Sequence, residues 1–253
     1  MDTAHRRDSI REAIEREGQV RLSELSEEFG VAPVTIHRDL DYLAAEGVIE
    51  RVRGGARSHN GQHIIRSEYA IRRDQALSQK NEIAIRALQE IPDGATLFLD
   101  SSTTVLALAK RLQREPSRGL TVVTNSPAIS TDVMAPFIHI IMLPGELNQP
   151  VRAITGRWTA EFMEHLSFTV AFVSAAGITP TGLTTTQREL SEVTKAAFSR
   201  ASRRIALIDS TKFGTKALIS MASVEQLDLV ITDQGLPAKI VGDYQASGVP
   251  LTQ

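Results

Sequence analysis

Residues 32–43 read Ala32-Pro33-Val34-Thr35-Ile36-His37-Arg38-Asp39-Leu40-Asp41-Tyr42-Leu43, and this stretch decides how the first part of the chain is organised. Pro33 suits a first helical turn, because its ring fixes φ and it has no N–H to leave unpaired. Ile36, Leu40 and Leu43 then recur at i, i+4 and i+7, the apolar stripe of a helix with one buried face. Pro33, Val34, Thr35, His37 and Arg38 lie at its start or off the stripe. Thr35, His37 and Arg38 are short or basic groups able to reach base edges and phosphates. Gly47 closes the helix.

Outward from that helix the pattern stays short and punctuated. Upstream, Ile10, Ala13 and Ile14 keep helical spacing before Gly18, and Val20 and Leu22 form an extended link. Ser23 is the expected cap of a second helix over Glu24–Phe29, which Gly30 ends. Downstream, Val48, Ile49 and Val52 alternate like a strand running into Gly54-Gly55. Three short helices and a hairpin make a winged helix-turn-helix. Its wing carries Arg51 and Arg53 for the phosphate backbone, with Gly54 and Gly55 permitting close approach.

Charge limits how such a unit could bind DNA. The 253-residue chain has net charge -2, and within residues 1–57 nine arginines face twelve carboxylates. Binding therefore has to rest on local clusters and not on a basic domain. There is no cysteine, so disulfides and thiolate metal sites are excluded, and the six histidines show no metal-ligand spacing. His59 and His63 stand four apart, but in a glycine-containing linker. No apolar run is long enough for a membrane span, and the N-terminus is polar. A cytoplasmic protein with no membrane partner is expected. Phosphate loops ending in Gly-Lys-Ser/Thr and Gly-x-Gly-x-x-Gly turns are both missing, so nucleotide hydrolysis and dinucleotide binding are not expected, nor is any cofactor or metal.

Ser58-His59-Asn60-Gly61-Gln62 breaks the pattern, which places a boundary there. The expected division is a DNA-reading domain over 1–57, a hinge over 58–75 and a larger domain over 76–253. Residues 68–88 read as one helix; from the residues alone, Arg72 and Lys80 on it are solvated charges. Beyond Gly94, short β-branched runs alternate with helical stretches. The strands expected are Thr96–Leu99, Thr121–Val123, Ile138–Leu143, Thr169–Val173, Arg204–Ile208 and Leu229–Ile231. Alternation of this kind gives a mostly parallel sheet covered on both faces, an α/β fold. Trp158 and the other sparse aromatics read as core or pocket wall.

The strand ends carry the chemistry. Asp100-Ser101-Ser102-Thr103-Thr104, Thr124-Asn125-Ser126, Pro144-Gly145-Glu146, Ser174-Ala175-Ala176-Gly177 and Asp209-Ser210-Thr211-Lys212 each follow a strand. In a parallel sheet these ends share one edge, where helix N-termini offer free N–H groups to an anion. With Lys212 beside them, such a site suits a polyol phosphate.

Ala32–Leu40 with Leu43, Gly47 and Arg53-Gly54-Gly55-Ala56 resembles the helix-turn-helix signature of the DeoR/GlpR-type transcriptional regulators. Leu99–Thr104, Thr124–Ser126, Leu143–Gly145, Gly182–Thr185, Asp209–Gly214 and Ile231–Asp233 are similar to that family's sensor motifs in their usual order, so the resemblance covers nearly the whole chain. It implies a sensor fold similar to ribose-5-phosphate isomerase and CoA transferases. It also implies a phosphorylated sugar effector, and repression of a carbohydrate-utilisation operon. By the same resemblance Asp100 and Asn125 contact effector hydroxyls, Ser101, Ser102, Thr103 and Thr104 hold phosphate or hydroxyls, and Lys212, beside Asp209, is the cation. Gly145, Arg152 and Lys195 belong to the same set of pocket residues. Arg72 and Lys80 both match basic positions common in the family. Two positions depart from the family pattern: Glu146 stands where a second glycine is usual, and Ser174 replaces another.

A sugar-phosphate isomerase with an accessory DNA-binding domain is the alternative, because Asp100, Asp209, Lys195 and Lys212 could supply an acid–base pair. A pocket built only to bind uses the same residue types. The fused DNA-reading domain makes binding alone sufficient, so no catalytic residue is assigned. One winged domain reads only a short site, so a homo-oligomer, dimer or tetramer, is expected on double-stranded DNA.

Overall fold

A computed structural model describes residues 3–47, 49–58, 68–116 and 118–253. The chain divides into two compact units, Met1–Ser67 and Glu68–Gln253. The expected boundary at Ser58–Gln62 lies, beyond Ser58, outside the described residues, as do His59 and His63.

The first unit runs α1 (Thr3–Glu17), β1 (Gln19–Arg21), α2 (Leu22–Phe29), α3 (Pro33–Ala45), β2 (Ile49–Val52) and β3 (Gly55–Ser58). Ile10, Ile14, Leu25, Ile36, Leu40 and Ile49 are almost fully buried in one core. The three strands form an antiparallel sheet in the order β1-β3-β2, with Val52 opposite Gly55 at the hairpin and Val20 opposite Ala56. Ser23 does not cap α2. The helix begins at Leu22, two residues before the expected start, and the Glu24 carboxylate accepts from the Arg21 N–H at 3.3 Å. Asp39 is the polar member of the inner face: its carboxylate accepts from Arg6 Nε at 2.7 Å and Arg7 Nε at 2.8 Å, clamping α1 to α3.

The second unit opens with α4 (Glu68–Asp74) and α5 (Leu77–Ala87), where one continuous helix was expected. The interruption is Ala76, which takes a left-handed φ of 51°. There follow β4 (Thr96–Leu99), α6 (Thr103–Leu112), β5 (Thr121–Thr124), α7 (Pro127–Asp132), β6 (His139–Met142), the hairpin β7 (Glu146–Asn148) and β8 (Ala153–Thr155), and α8 (Arg157–Met163). After β9 (Phe168–Val173) come β10 (Gly177–Thr179), β11 (Gly182–Thr185), α9 (Arg188–Ser199), β12 (Ala201–Leu207), β13 (Ile219–Ser223), β14 (Leu229–Ile231), α10 (Ala238–Ala246) and β15 (Leu251–Thr252).

Seven strands pair in the order β15-β14-β12-β9-β4-β5-β6, every pair parallel. Apolar residues fill both faces of this sheet, so the central strands read as continuous hydrophobic runs. Leu97, Leu99, Val170 and Phe172 face α5 and α6, while Phe98, Ala171 and Val173 face the core that α9 covers. From β4 the chain order runs outward both ways, to β5 and β6 on one side and to β9, β12, β14 and β15 on the other. The topological switch point therefore falls between β4 and β9. A second, antiparallel sheet, β10-β11-β13, was not foreseen from the sequence. Trp158, expected in the core or a pocket wall, is 67% exposed. Among the described residues no helix is long and apolar enough to cross a membrane.

Candidate functional site

In the first unit the two faces of α3 are sharply different. Ile36, Asp39, Leu40 and Leu43 are buried, while Pro33, Val34, His37 and Arg38 are exposed and Thr35 is half-buried. Arg38 and Arg53 make no hydrogen bond or ion pair among the described residues, so both guanidiniums are available to phosphate or guanine. Arg51 is tied down in part: its Nε lies 3.4 Å from Asp41 Oδ1 and Nη2 3.0 Å from the His37 ring, which fastens β2 to α3, while Nη1 has no partner among the described residues. The two glycines also separate. Gly54, at φ 82°, makes the hairpin turn and is exposed. Gly55 is buried; a Cβ there would stand 2.0 Å from the Val20 carbonyl, so its smallness serves the β1–β3 contact.

In the second unit a cavity of about 230 Å³ opens at the carboxyl ends of β4, β5, β9 and β12, across the switch point. Asp100, Ser101, Ser102, Thr103, Asn125, Asp209 and Lys212 all line it, so most of the expected pocket set is brought together. Asp100 is buried and ties the two central strands: Oδ1 accepts from the Ser102 N–H at 2.9 Å and Oδ2 from the Ser174 N–H at 2.8 Å. Burial pushes its carboxyl above the usual carboxylate range, against the pull of those hydrogen bonds. Asn125 donates Nδ2 to the Ile154 carbonyl at 3.1 Å, but its buried Oδ1 has no partner among the described residues. Lys212 donates to Ser174 Oγ at 3.2 Å and lies 3.3 Å from Asp209 Oδ2. The loop that carries it is pinned by Tyr244, whose hydroxyl accepts from the Gly214 N–H at 2.8 Å and donates to the Ile178 carbonyl at 2.9 Å.

Ser102 caps α6, its Oγ accepting from the Val105 N–H at 3.2 Å. The N–H of Thr103, in the first turn beside the cavity, has no intrahelical acceptor. A buried acceptor without a donor, the first turn of α6 and a lysine converge on one space. Such a space can take a ligand that donates a hydroxyl hydrogen at one point and presents an anionic group at another.

Other expected residues lie elsewhere. Thr104, Gly145, Arg152 and Lys195 are not part of the cavity wall. Arg152 is exposed in the turn of the β7–β8 hairpin with a φ of 50°, and Lys195 sits on the outer face of α9. Gly145 is required by packing, since a Cβ would come within 2.2 Å of Thr159 Oγ1. Glu146, the departure that set a carboxylate against a phosphate, is exposed and outside the cavity wall.

The cavity also includes residues outside the expected pocket set. Thr185, Thr186 and Gln187 enter from the end of β11, and Leu190 and Thr194 from α9. Arg72 and Lys80, read as solvated helix charges, line it too. Lys80 is only 5% exposed and donates to the Gln75 carbonyl at 2.6 Å and to the Arg72 carbonyl. Burial, with Lys212 nearby, lowers its ammonium to about 8. A signal existed: Lys80 shares the helical face of Ile83, Ala84 and Ala87, all buried.

An exposed recognition helix with a wing, joined in one chain to an α/β unit with a polar switch-point cavity, defines a DNA-binding regulator with a sensor domain. The comparisons place it more closely. Residues 6–62 match the DeoR-like helix-turn-helix domain, and residues 75–234 match the DeoR C terminal sensor domain. The chain belongs to the DeoR family of transcriptional regulators. It is 32% identical to the glycerol-3-phosphate regulon repressor of Escherichia coli K12, over 95% of either chain. To the lactose phosphotransferase system repressor of Staphylococcus epidermidis it is 29% identical, over 92% of this chain and 93% of the relative. These relatives are repressors and not enzymes, and this chain is a DNA-binding repressor of the same kind. Ribose 5-phosphate isomerase A from Neisseria gonorrhoeae is a distant structural neighbour, with a TM-score of 0.40 and 13% identity over 54% of this chain and 53% of the isomerase.

Proposed function

We propose that this repressor controls a carbohydrate-utilisation operon and that a phosphorylated sugar or sugar derivative in the switch-point cavity sets its affinity for the operator. In this reading residues 1–57 read DNA and residues 76–253 sense, with 58–75, including α4, joining them. The carrying observation is the unpaired, buried Asn125 Oδ1 in the same cavity as Lys212 and Thr103, at the start of α6. A sugar hydroxyl satisfies the first and a phosphate the others. Asp100, with lone pairs left on both oxygens, accepts a second hydroxyl. Pro33, Val34, Thr35, His37, Arg38 and Arg53 meet the DNA, while Arg51 positions His37 and the wing. The names of the two relatives, a glycerol-3-phosphate regulon and a lactose phosphotransferase system, agree with an effector of this class.

Two copies bind repeated half-sites, because one short helix spans too few bases for specificity. The protein then works in the cytoplasm, where its operator is. A two-state linkage follows: an effector that favours one state of the protein changes operator affinity by the ratio of its affinities for the two.

The test is binding of DNA from upstream of the gene, at fixed salt, titrated with a panel of sugar phosphates. A tenfold shift by one compound, about 1.4 kcal/mol of coupling, is the expected result. DNA binding that no compound alters overturns the effector reading. Failure to bind that DNA overturns the assignment of its target.

A further inference from the structure

The exposure of Trp158 is not isolated. Phe162, four residues on, is exposed too, and positions four apart stand side by side on a helix. The two rings therefore form one stripe on α8, whose opposite side buries Thr159 and Met163. Thr159 Oγ1 donates to the Pro144 carbonyl at 2.8 Å, which fastens α8 to the turn between β6 and β7. Met142 at the end of β6 and Leu147 in β7 flank that turn, and both are exposed. Four exposed apolar side chains thus belong to one corner of the second unit, and a patch of that kind marks an interaction site.

Charge on the same helix says what covers the stripe. Arg157 and Glu161 are also four apart, exposed and paired with each other, and Glu164 follows them, exposed. A cation at one end and carboxylates toward the other, beside one apolar stripe, complement a copy of themselves running the opposite way. We propose that α8 is the contact between two copies of this chain, packed antiparallel across a two-fold axis. Such an axis makes every contact occur twice, residue i on j and j on i. With the axis at Ala160, midway between the rings, Trp158 stands level with Phe162 of the partner subunit, and Phe162 with the partner's Trp158. The same operation sets Arg157 between Glu161 of the partner subunit and Glu164 of the partner subunit.

The inference rests on the two-copy reading given above and names the surface on which the copies meet. Tryptophan is among the side chains that carry most of an interface's energy when a partner dries it, so an exposed one on a short helix is an anchor without its pocket. The helix is also close to the cavity through the backbone. β8, which leads into α8, is held to Asn125 twice: the Ile154 N–H donates to the Asn125 carbonyl at 2.8 Å, and Asn125 Nδ2 donates to the Ile154 carbonyl at 3.1 Å. One strand therefore separates the proposed contact from the residue whose Oδ1 is unpaired.

Trp158 is the chain's one tryptophan, so its fluorescence reports its own burial. The experiment is sedimentation velocity on the full chain, with tryptophan emission recorded on the same samples. Arg157→Glu changes a side chain that is 87% exposed, so the fold is not at risk. It sets a third carboxylate against two, and like charges across an interface should weaken assembly more than tenfold. The sedimenting mass should halve and the emission of Trp158 should move to the red, with circular dichroism unchanged. Phe162→Ala should halve the mass as well. Variants that keep the wild-type mass, or a halved mass without the red shift in Arg157→Glu, overturn the α8 contact and leave the two-copy reading standing. A wild-type chain that sediments as a single copy at every concentration ends the two-copy reading, and the inference falls with it.

Discussion

Replacing Asp39 by alanine tests whether the inward carboxylate of the recognition helix holds the first unit together. Asp39 is 2% exposed, and its two oxygens each accept from a different arginine of α1, at 2.7 and 2.8 Å. Arg6 has a side chain only 8% exposed, whereas Arg7 is 27% exposed and retains the face of Tyr42, 3.8 Å from its ring centroid. Truncation therefore strands Arg6, buried without a counter-charge, and merely loosens Arg7. Breaking a buried pair by removing one partner costs about 3–5 kcal/mol. The exposure of Arg7 puts this case near the lower end, about 3 kcal/mol. At 0.05–0.15 kcal/mol per residue, a unit of this size holds roughly 3–10 kcal/mol in all, so the variant should unfold it partly at growth temperature. Urea unfolding followed by far-ultraviolet circular dichroism should then show an early transition missing from the wild type, with operator binding lost in parallel. A stability change under about 1 kcal/mol would refute the reasoning, and α1 would have to be held by Ile10 and Ile14 alone.

Arg38→Ala, beside it, should do the opposite. The side chain is exposed and unpaired, so stability should stay within about 0.5 kcal/mol, while operator affinity falls by about 1–3 kcal/mol. The salt dependence of binding then tells phosphate from base, since losing one phosphate contact flattens the log–log slope by about 0.9. Lys212→Met should bring the effector's effect on operator affinity down to no change, read in the same titration, with a melting curve to register the cost of leaving Asp209 unpaired. Effector affinity measured by calorimetry should decline above pH 8. There Lys80 loses its proton in the free protein and binding an anion has to restore it. A phosphate monoester is already a dianion over that range, so a profile without the decline would exclude Lys80 from the ligand's shell.

Much of this architecture is legible because two periodicities dominate it. Thr96–Leu99 and Leu229–Ile231 stand where their β-branched runs predict, and α3 begins at Pro33, because each is set by local burial on one or both faces. The β10-β11-β13 sheet escaped notice because its short strands, such as Gly177–Thr179, carry glycine and threonine rather than apolar alternation. The broken helix at Ala76 had no proline or glycine to mark it. In the cavity, Asp100, Asn125 and Lys212 were readable because each directly follows a strand or its first turn. Lys80 was misread because a charge suggests solvent, although its spacing from Ile83, Ala84 and Ala87 points inward. Arg152 and Lys195 were placed by resemblance alone, and nothing in the local sequence fixes their direction.

The alternation along α3 has a consequence for how such a repressor can diverge. Positions 34, 35, 37 and 38 touch little of the interior, whereas 36, 39, 40 and 43 are locked into it. Changes at the outer four can accumulate without a stability threshold to cross, and duplicated copies of the gene can drift to new operators one base pair at a time. The inner four cannot follow, since each swap would need a matching swap in α1 or the wing. Target choice and foldability are thus inherited on separate letters of the same twelve-residue word.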